Sequence, residues 1–244
     1  MAGHSKWKNI QKTKGAADAK RGKIFTKIAR EMMVAVKEGG GGDPANNSRL
    51  ASVIAKAKAA NMPNDNIKRT IDKALGSGDS SSFEDIVYEG YGPSGVAVIV
   101  ETMTDNRNRT ASEVRHHFDK YGGNMGAAGC VSWSFERKGV IIIDNEDEEL
   151  DEDAVMMDAI EAGAEDFEAD GEIFTALCTP EDVARVSEAI SEKGYKLLSA
   201  QAEMVPQNGY IKLEREDDIK NMQKMLDMFE DDDDVQNVYH NWEE

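Results

Sequence analysis

The chain has 244 residues, with 29 Lys+Arg against 47 Asp+Glu and a formal net charge of −18. Compact units usually run to roughly 100–150 residues, so this length fits two or three small domains, and a 40% apolar fraction supplies their cores. No apolar run approaches the ~20 residues of a membrane helix, and Cys130 and Cys178 lie far apart with no C-x-x-C. Membrane spans, disulfide scaffolds and zinc modules are excluded, and the expected setting is reducing and cytoplasmic.

Residues 1–20 show no apolar periodicity and read as a basic arm: Lys6, Lys8, Lys12, Lys14 and Lys20, with Trp7 between two lysines. From Arg21 a helical stripe begins (Ile24, Phe25, Ile28, Met32, Val36), ended by Gly39–Gly42. A second helix is expected over 47–60 and a third carrying Ile67, Ile71 and Leu75, which makes residues 21–76 a three-helix bundle. The Gly- and Ser-rich stretch 77–82 reads as a linker. Beyond it strands and helices alternate. Strands are expected at 85–88 and 96–101, then a helix over 110–121 with Thr110-x-x-Glu113 as a capping box. Strands at 131–135 and 140–143 follow, then a helix over 149–162 and strands at 166–168 and 172–178. A helix over 181–193, strands at 197–204 and 210–213, a helix over 217–229 and a strand at 235–239 complete the pattern.

From 140 to 204 this order is β-α-β-β-α-β, one split βαβ unit, and the elements around it read as the same unit cut in half. The expected fold class is therefore α+β multidomain: an N-terminal three-helix bundle, then two ferredoxin-like α/β domains, one inserted into the other. The boundaries are 83–136 and 206–244 for the discontinuous domain and 137–205 for the insert.

Charge is split along the chain. Residues 1–75 hold 16 Lys+Arg against 6 Asp+Glu, and the remainder 13 against 41. Such asymmetry points to a polyanionic partner for the basic part. The residues marked for phosphate contact are Lys6, Trp7, Lys8, Lys12, Lys14, Lys20, Arg21, Lys23, Lys27 and Arg30. Lysine and arginine neutralise phosphates, and Trp7 either stacks on an unpaired base or folds back onto the protein's own core. Arg107 and Arg109 in Thr104-Asp-Asn-Arg-Asn-Arg-Thr110 lie where a helix begins, and cations there oppose the macrodipole. They serve an external anion such as phosphate, or pair with Asp105, Glu101 or Glu113; the sequence leaves both open.

Other motifs fail on context. Gly90-Tyr-Gly-Pro-Ser-Gly95 matches G-x-G-x-x-G but runs into a strand, so it reads as a turn between strands and not as a dinucleotide site. The adjacent His116 and His117 point about 100° apart on a helix, a poor pair of metal ligands. No catalytic constellation stands out, and no cofactor, metal or small-molecule substrate is expected.

The segments Met1-Ala-Gly-His-Ser-Lys-Trp7, Asp18-x-x-Arg21-Gly-Lys23-Ile-Phe25-x-Lys27, Gly41-Gly-Asp43-Pro44, Asn61-Met-Pro63, Tyr88-Glu-Gly-Tyr-Gly-Pro93, Thr104–Thr110 and Gly139-Val140 resemble the YebC/PmpR family. The resemblance spans almost the whole chain; Ser48 and Cys130 are small departures from the family pattern. It implies three nested domains and a DNA-binding transcriptional regulator. It also implies an alternative, since other members, a mitochondrial relative among them, act on the ribosome and aid synthesis through proline-rich stretches. The expected protein is thus a non-enzymatic regulator whose partner is DNA, RNA or both. A pure protein-interaction scaffold is the weaker reading.

Overall fold

The computed structural model describes Trp7 and residues 18–76, 83–147 and 149–243. The 77–82 linker, and the arm apart from Trp7 and the first turn of the first helix, lie outside the described residues. Among the described residues, seven α-helices and ten strands in antiparallel-dominated sheets give a mixed α+β protein. The chain forms two compact units: Ala16–Val131 with Leu213–His240, and Ser132–Lys212 with Asn241–Glu244 and the stretch holding Trp7.

The first unit opens with α1 (Asp18–Glu38), α2 (Ser48–Ala59) and α3 (Asn64–Gly76). The stripe read from sequence is its core: Ile28, Met32, Ala35 and Val36 pack on Leu50, Val53, Ala57, Ile67 and Ala74. Asn47 joins two helix ends. Its side chain caps α2 by accepting from Leu50 N at 3.0 Å and donates to Ala35 O at 2.7 Å, satisfying groups that helix termini otherwise leave open.

In the same unit, β1 (Glu84–Tyr91), β2 (Ala97–Thr104), β3 (Asn124–Met125) and β9 (Val235–His240) form a sheet in the order β3-β1-β2-β9. The G-x-G-x-x-G segment is the turn between β1 and β2, with φ of 55° at Ser94 and 83° at Gly95, a conformation that suits glycine. Two helices belong to this part of the unit, α4 (Arg107–Lys120) and α7 (Glu216–Asp231). They meet through Phe118 and Phe229, both fully buried, with ring centroids 5.1 Å apart. His117 is buried and His116 exposed, as their offset on the helix requires.

In the second unit, β4 (Phe135–Asp144), α5 (Glu152–Ala162), β5 (Asp166–Asp170), β6 (Ile173–Cys178), α6 (Val183–Glu192) and β7 (Leu197–Pro206) follow in chain order. The sheet runs β5-β6-β4-β7, so the four strands stand second, third, first, fourth, the arrangement of a split βαβ unit. Ile141, Ile143, Phe174 and Ala176 meet Val155, Ala159, Val186 and Ile190 of the helices. Val140, Ile142, Ile173, Leu177 and Val205 form a second cluster, and Trp7 belongs to it.

Two expectations are corrected. The strand expected at 210–213 is only β8 (Ile211–Lys212), which pairs with β10 (Trp242–Glu243) and not with the β3-β1-β2-β9 sheet. The strand expected at 85–88 is present as β1 and lies inside that sheet. The expected strand at 131–135 is a 3₁₀ turn over Ser132–Ser134, because Val-Ser-Trp-Ser-Phe alternates like a strand while Trp133 faces solvent.

Trp7 is 2% exposed and its indole N–H donates to Glu172 Oε2 at 3.0 Å. A base could stack on this ring only after it left that pocket. Trp7→Phe keeps an aromatic ring but loses the hydrogen bond and part of the volume. The urea midpoint should fall by the equivalent of about 1–3 kcal/mol. An unchanged midpoint would mean that the indole contributes nothing to this unit's stability.

Candidate nucleic-acid interface

Asn106 starts α4: its side chain accepts from Arg109 N at 3.1 Å. The capping box expected at Thr110 is therefore corrected. Thr110 lies one turn inside the helix and is fully buried, its hydroxyl 2.8 Å from Asp234 Oδ2. Arg107 and Arg109 accordingly occupy the first turn of the helix itself.

The two arginines part company. Arg109 Nη2 reaches Asp234 Oδ2 at 2.6 Å and Asp105 Oδ1 at 3.1 Å, and Nε stands 4.0 Å from Glu113 Oε2. Of the three acids read as partners, Asp105 and Glu113 are present. Glu101 instead accepts from Asn237 Nδ2 and the Tyr239 hydroxyl. Asp234, the strongest partner, was not foreseen. Arg107 is exposed, its carbonyl oxygen 3.4 Å from the Tyr88 hydroxyl, and among the described residues its side chain makes no ion pair.

Asp234 organises this end of the sheet. Its carboxylate also accepts from Arg30 Nη1 at 3.0 Å and from Thr104 Oγ1 at 3.1 Å. Burial works against its ionisation, but the hydrogen bonds from Arg109, Thr110 and Thr104 outweigh that and hold the carboxyl below its ordinary range. Nearby, Glu113 is pushed up by burial and by the charges of Asp232 and Asp234. Glu113, Asp232 and Asp234 bring ligand atoms within 4.8 Å of one another. Arg30 and Arg109 already compensate Asp234, and His117 Nε2 lies 3.2 Å from Asp232 Oδ2. The arrangement is an ion-pair network.

Three basic residues of α1 face the same acidic turn. Lys23 Nζ stands 3.0 Å from Asp231 Oδ1, and Lys27 Nζ donates to Glu230 O at 2.8 Å. Arg30 donates to Asp233 O at 2.6 Å and lies 5.7 Å from the Phe83 ring centroid. Arg49, bridging Glu38 at 2.7 Å and Asp85 at 2.9 Å, adds a further tie from the bundle to β1. Arg21 is exposed and Lys20 belongs to α1, whereas Lys6, Lys8, Lys12 and Lys14 lie outside the described residues.

Burial lowers the Lys27 amine to about 8, against the pull of Asp232, Asp233 and Glu230. Its unfolded value is near 10.4, so between those values the unfolded chain holds more protons and stability rises with pH. Relative to Lys27→Met, the wild-type chain should gain about 1–3 kcal/mol as pH rises from 7 to 10.5. A urea-midpoint series checks this; parallel pH profiles would mean that the amine is fully hydrated.

On the bundle, a shallow groove of about 250 Å³ has Phe25 and Met62 among its lining, with Thr70 and Arg69. The sequence reading did not single out Arg69. It is exposed, and among the described residues it makes no ion pair, as is also true of Lys58, Lys68 and Lys73. Their spacing on α2 and α3 was the available signal, overshadowed by the denser run of cations before residue 31.

Residues 5–77 match the family model described as the TACO1/YebC protein N-terminal domain, and residues 83–242 that of the TACO1/YebC second and third domain. The chain belongs to the TACO1/YebC family. A relative from Finegoldia magna, named a probable transcriptional regulatory protein, is 57% identical over 100% of this chain and 99% of its own. One from Acetivibrio thermocellus with the same name is 57% identical over 99% of each chain. The crystal structure of a conserved hypothetical protein, Aq1575 from Aquifex aeolicus, is similar with a TM-score of 0.82. It is 44% identical, over 93% of this chain and 91% of that one. Among the described residues of this TACO1/YebC member, no helix is long and apolar enough to cross a membrane.

Proposed function

We propose that this TACO1/YebC protein is a non-enzymatic, cytoplasmic nucleic-acid-binding regulator of gene expression, with DNA-bound transcriptional control as the leading form. The observation that carries it is the segregation of charge. Residues 6–30 hold nine cations and one acid, Asp18, in a chain of net charge −18. A basic segment on an otherwise acidic protein binds polyanions while the acidic part sets its orientation on them. The names of the relatives support the transcriptional form. The domain reading that accompanies this proposal is a bundle over 21–76 and an α/β domain of 83–136 and 206–244 into which 137–205 is inserted.

One observation favours a second reading, an RNA-bound factor acting on the ribosome. The groove with Phe25 and Met62 in its lining and Arg69 beside them suits an unstacked base and its phosphate more than a closed duplex.

Sedimentation of cell lysate through a density gradient tests both. Fast migration abolished by DNase supports the first reading, and fast migration abolished by RNase the second. Fast migration resistant to both nucleases would support the protein scaffold and overturn the nucleic-acid readings.

A further inference from the structure

Three of the cations that α1 contributes to the proposed interface, Lys23, Lys27 and Arg30, are engaged in the folded protein, and their partner is one short stretch of the same chain. Glu230 and Asp231 end α7, and Asp232, Asp233 and Asp234 follow before β9. Within those five residues the side chains find a series of oxygens: Asp231 Oδ1 for Lys23, Glu230 O for Lys27, and Asp233 O with Asp234 Oδ1 for Arg30. Closely spaced anionic and carbonyl oxygens are what a phosphodiester strand offers to lysine and arginine.

We propose that Glu230–Asp234 is an internal competitor for nucleic acid, occupying the phosphate-contacting side chains of Lys23, Lys27 and Arg30 until a phosphodiester backbone displaces it. This rests on the reading that those cations bind nucleic acid, and it adds the regulation of that site.

The turn is built in two parts that suit this role. Asp234 is buried and fixed by Thr104, Thr110 and Arg109, so the turn stays in place. Asp231 and Asp233 are exposed, and the Lys23–Asp231 pair has side chains 45% and 63% exposed. Exposed pairs are weak and screened by salt, so this outer part can yield to a polyanion carrying many charges. Binding then exchanges the Asp231 carboxylate on Lys23, and the carbonyl oxygens on Lys27 and Arg30, for phosphates on cations that are already held in place. Because those cations are partly neutralised beforehand, fewer counterions leave when nucleic acid binds, and the salt dependence is shallower than the count of lysines and arginines implies.

The test compares full-length wild type with D231N/D233N, which removes the two exposed charges and leaves Asp234 untouched. A control, E214Q/D217N, removes two exposed charges at the other end of the same segment. Each is titrated with a labelled mixed-sequence RNA oligonucleotide and, separately, a DNA duplex over a range of salt. Matching urea midpoints establish that all three are folded. D231N/D233N should bind at least about fivefold tighter than the control, and its log-affinity against log-salt slope should steepen by about 0.7–0.9 per cation released. The arm that responds, RNA or duplex, identifies the source of the phosphates. If both variants tighten by the same factor with equal slopes, the effect is net charge alone and the competitor is overturned. K23Q/K27Q/R30Q separates the two levels. Weakened binding by this variant beside an unremarkable D231N/D233N sinks only the competitor. No dependence on the three cations, or no binding by any form at low salt, sinks the underlying reading as well.

Discussion

Asp234→Ala is expected to cost about 2–4 kcal/mol of unfolding free energy, below the full penalty for orphaning a buried ion-pair partner because the arginines can rehydrate. The side chain of Asp234 is 5% exposed, against 21% for Arg30 and 43% for Arg109. The carboxylate takes four donors, Arg30, Arg109, Thr104 and Thr110. Truncation leaves the Thr104 and Thr110 hydroxyls without their shared acceptor in the interior, and that part of the loss is not recovered by water. Asp234→Asn keeps an acceptor and loses the charge, so it should cost less. Its pH dependence follows from the depressed carboxyl. Stability from Asp234 is fully present above its unfolded value near 3.9 and is lost as pH falls through the lower folded value. Wild type and Asp234→Asn should therefore converge as the solution is acidified below about pH 4. Urea midpoints at neutral and acid pH measure both effects. A neutral-pH midpoint for Asp234→Ala equal to that of wild type would mean that the network is ornamental to stability. Arg107→Gln offers the contrast, with an unchanged midpoint, because among the described residues this exposed cation has no carboxylate to lose.

What the sequence revealed and what it hid divide by range. Ile28, Met32, Leu50 and Val53 were legible as core because helical periodicity is local, and the β-α-β-β-α-β order of the second unit was legible because strand and helix periods alternate cleanly there. The start of α4 was misplaced because Asn106 and Thr110 both satisfy a capping template four residues apart. What decides between them is Asp234, whose carboxylate buries Thr110 from 124 positions away. The partner of Arg109 was hidden for the same reason. Asp105 and Glu113 sit one helical turn from it and were visible, but nothing local distinguishes Asp234 among the 41 acids beyond residue 75. Trp7 shows the limit again. A tryptophan between two lysines fits base stacking and self-packing equally, and the choice made in the folded chain depends on Glu172 and the back of the β4–β6 sheet.

That placement of Trp7 dictates how the electrostatic role of the N-terminal segment has to be tested. Deleting residues 1–20 would remove the tryptophan from the cluster of Val140, Ile142 and Leu177, so lost affinity would be confounded with lost stability. The appropriate variant is K6Q/K8Q/K12Q/K14Q, which keeps Trp7 and removes four charges. If the segment and α1 together neutralise about six phosphates, log affinity for duplex DNA should fall with log salt at a slope near −5. Removing four contacts at about 0.9 each should leave a slope near −2. On single-stranded RNA the contribution per phosphate is about 0.7, so the slope should flatten by about 3 instead. The distinction is large: over a tenfold change in salt the duplex affinities of the two proteins should diverge by about three to four powers of ten. Fluorescence titrations at four or more salt concentrations, with urea midpoints showing that both proteins are equally stable, supply the measurement. Parallel slopes would mean that Lys6, Lys8, Lys12 and Lys14 touch no phosphate. The polyanion would then have to be held by α1 and by the exposed Lys58, Lys68, Arg69 and Lys73 of the bundle.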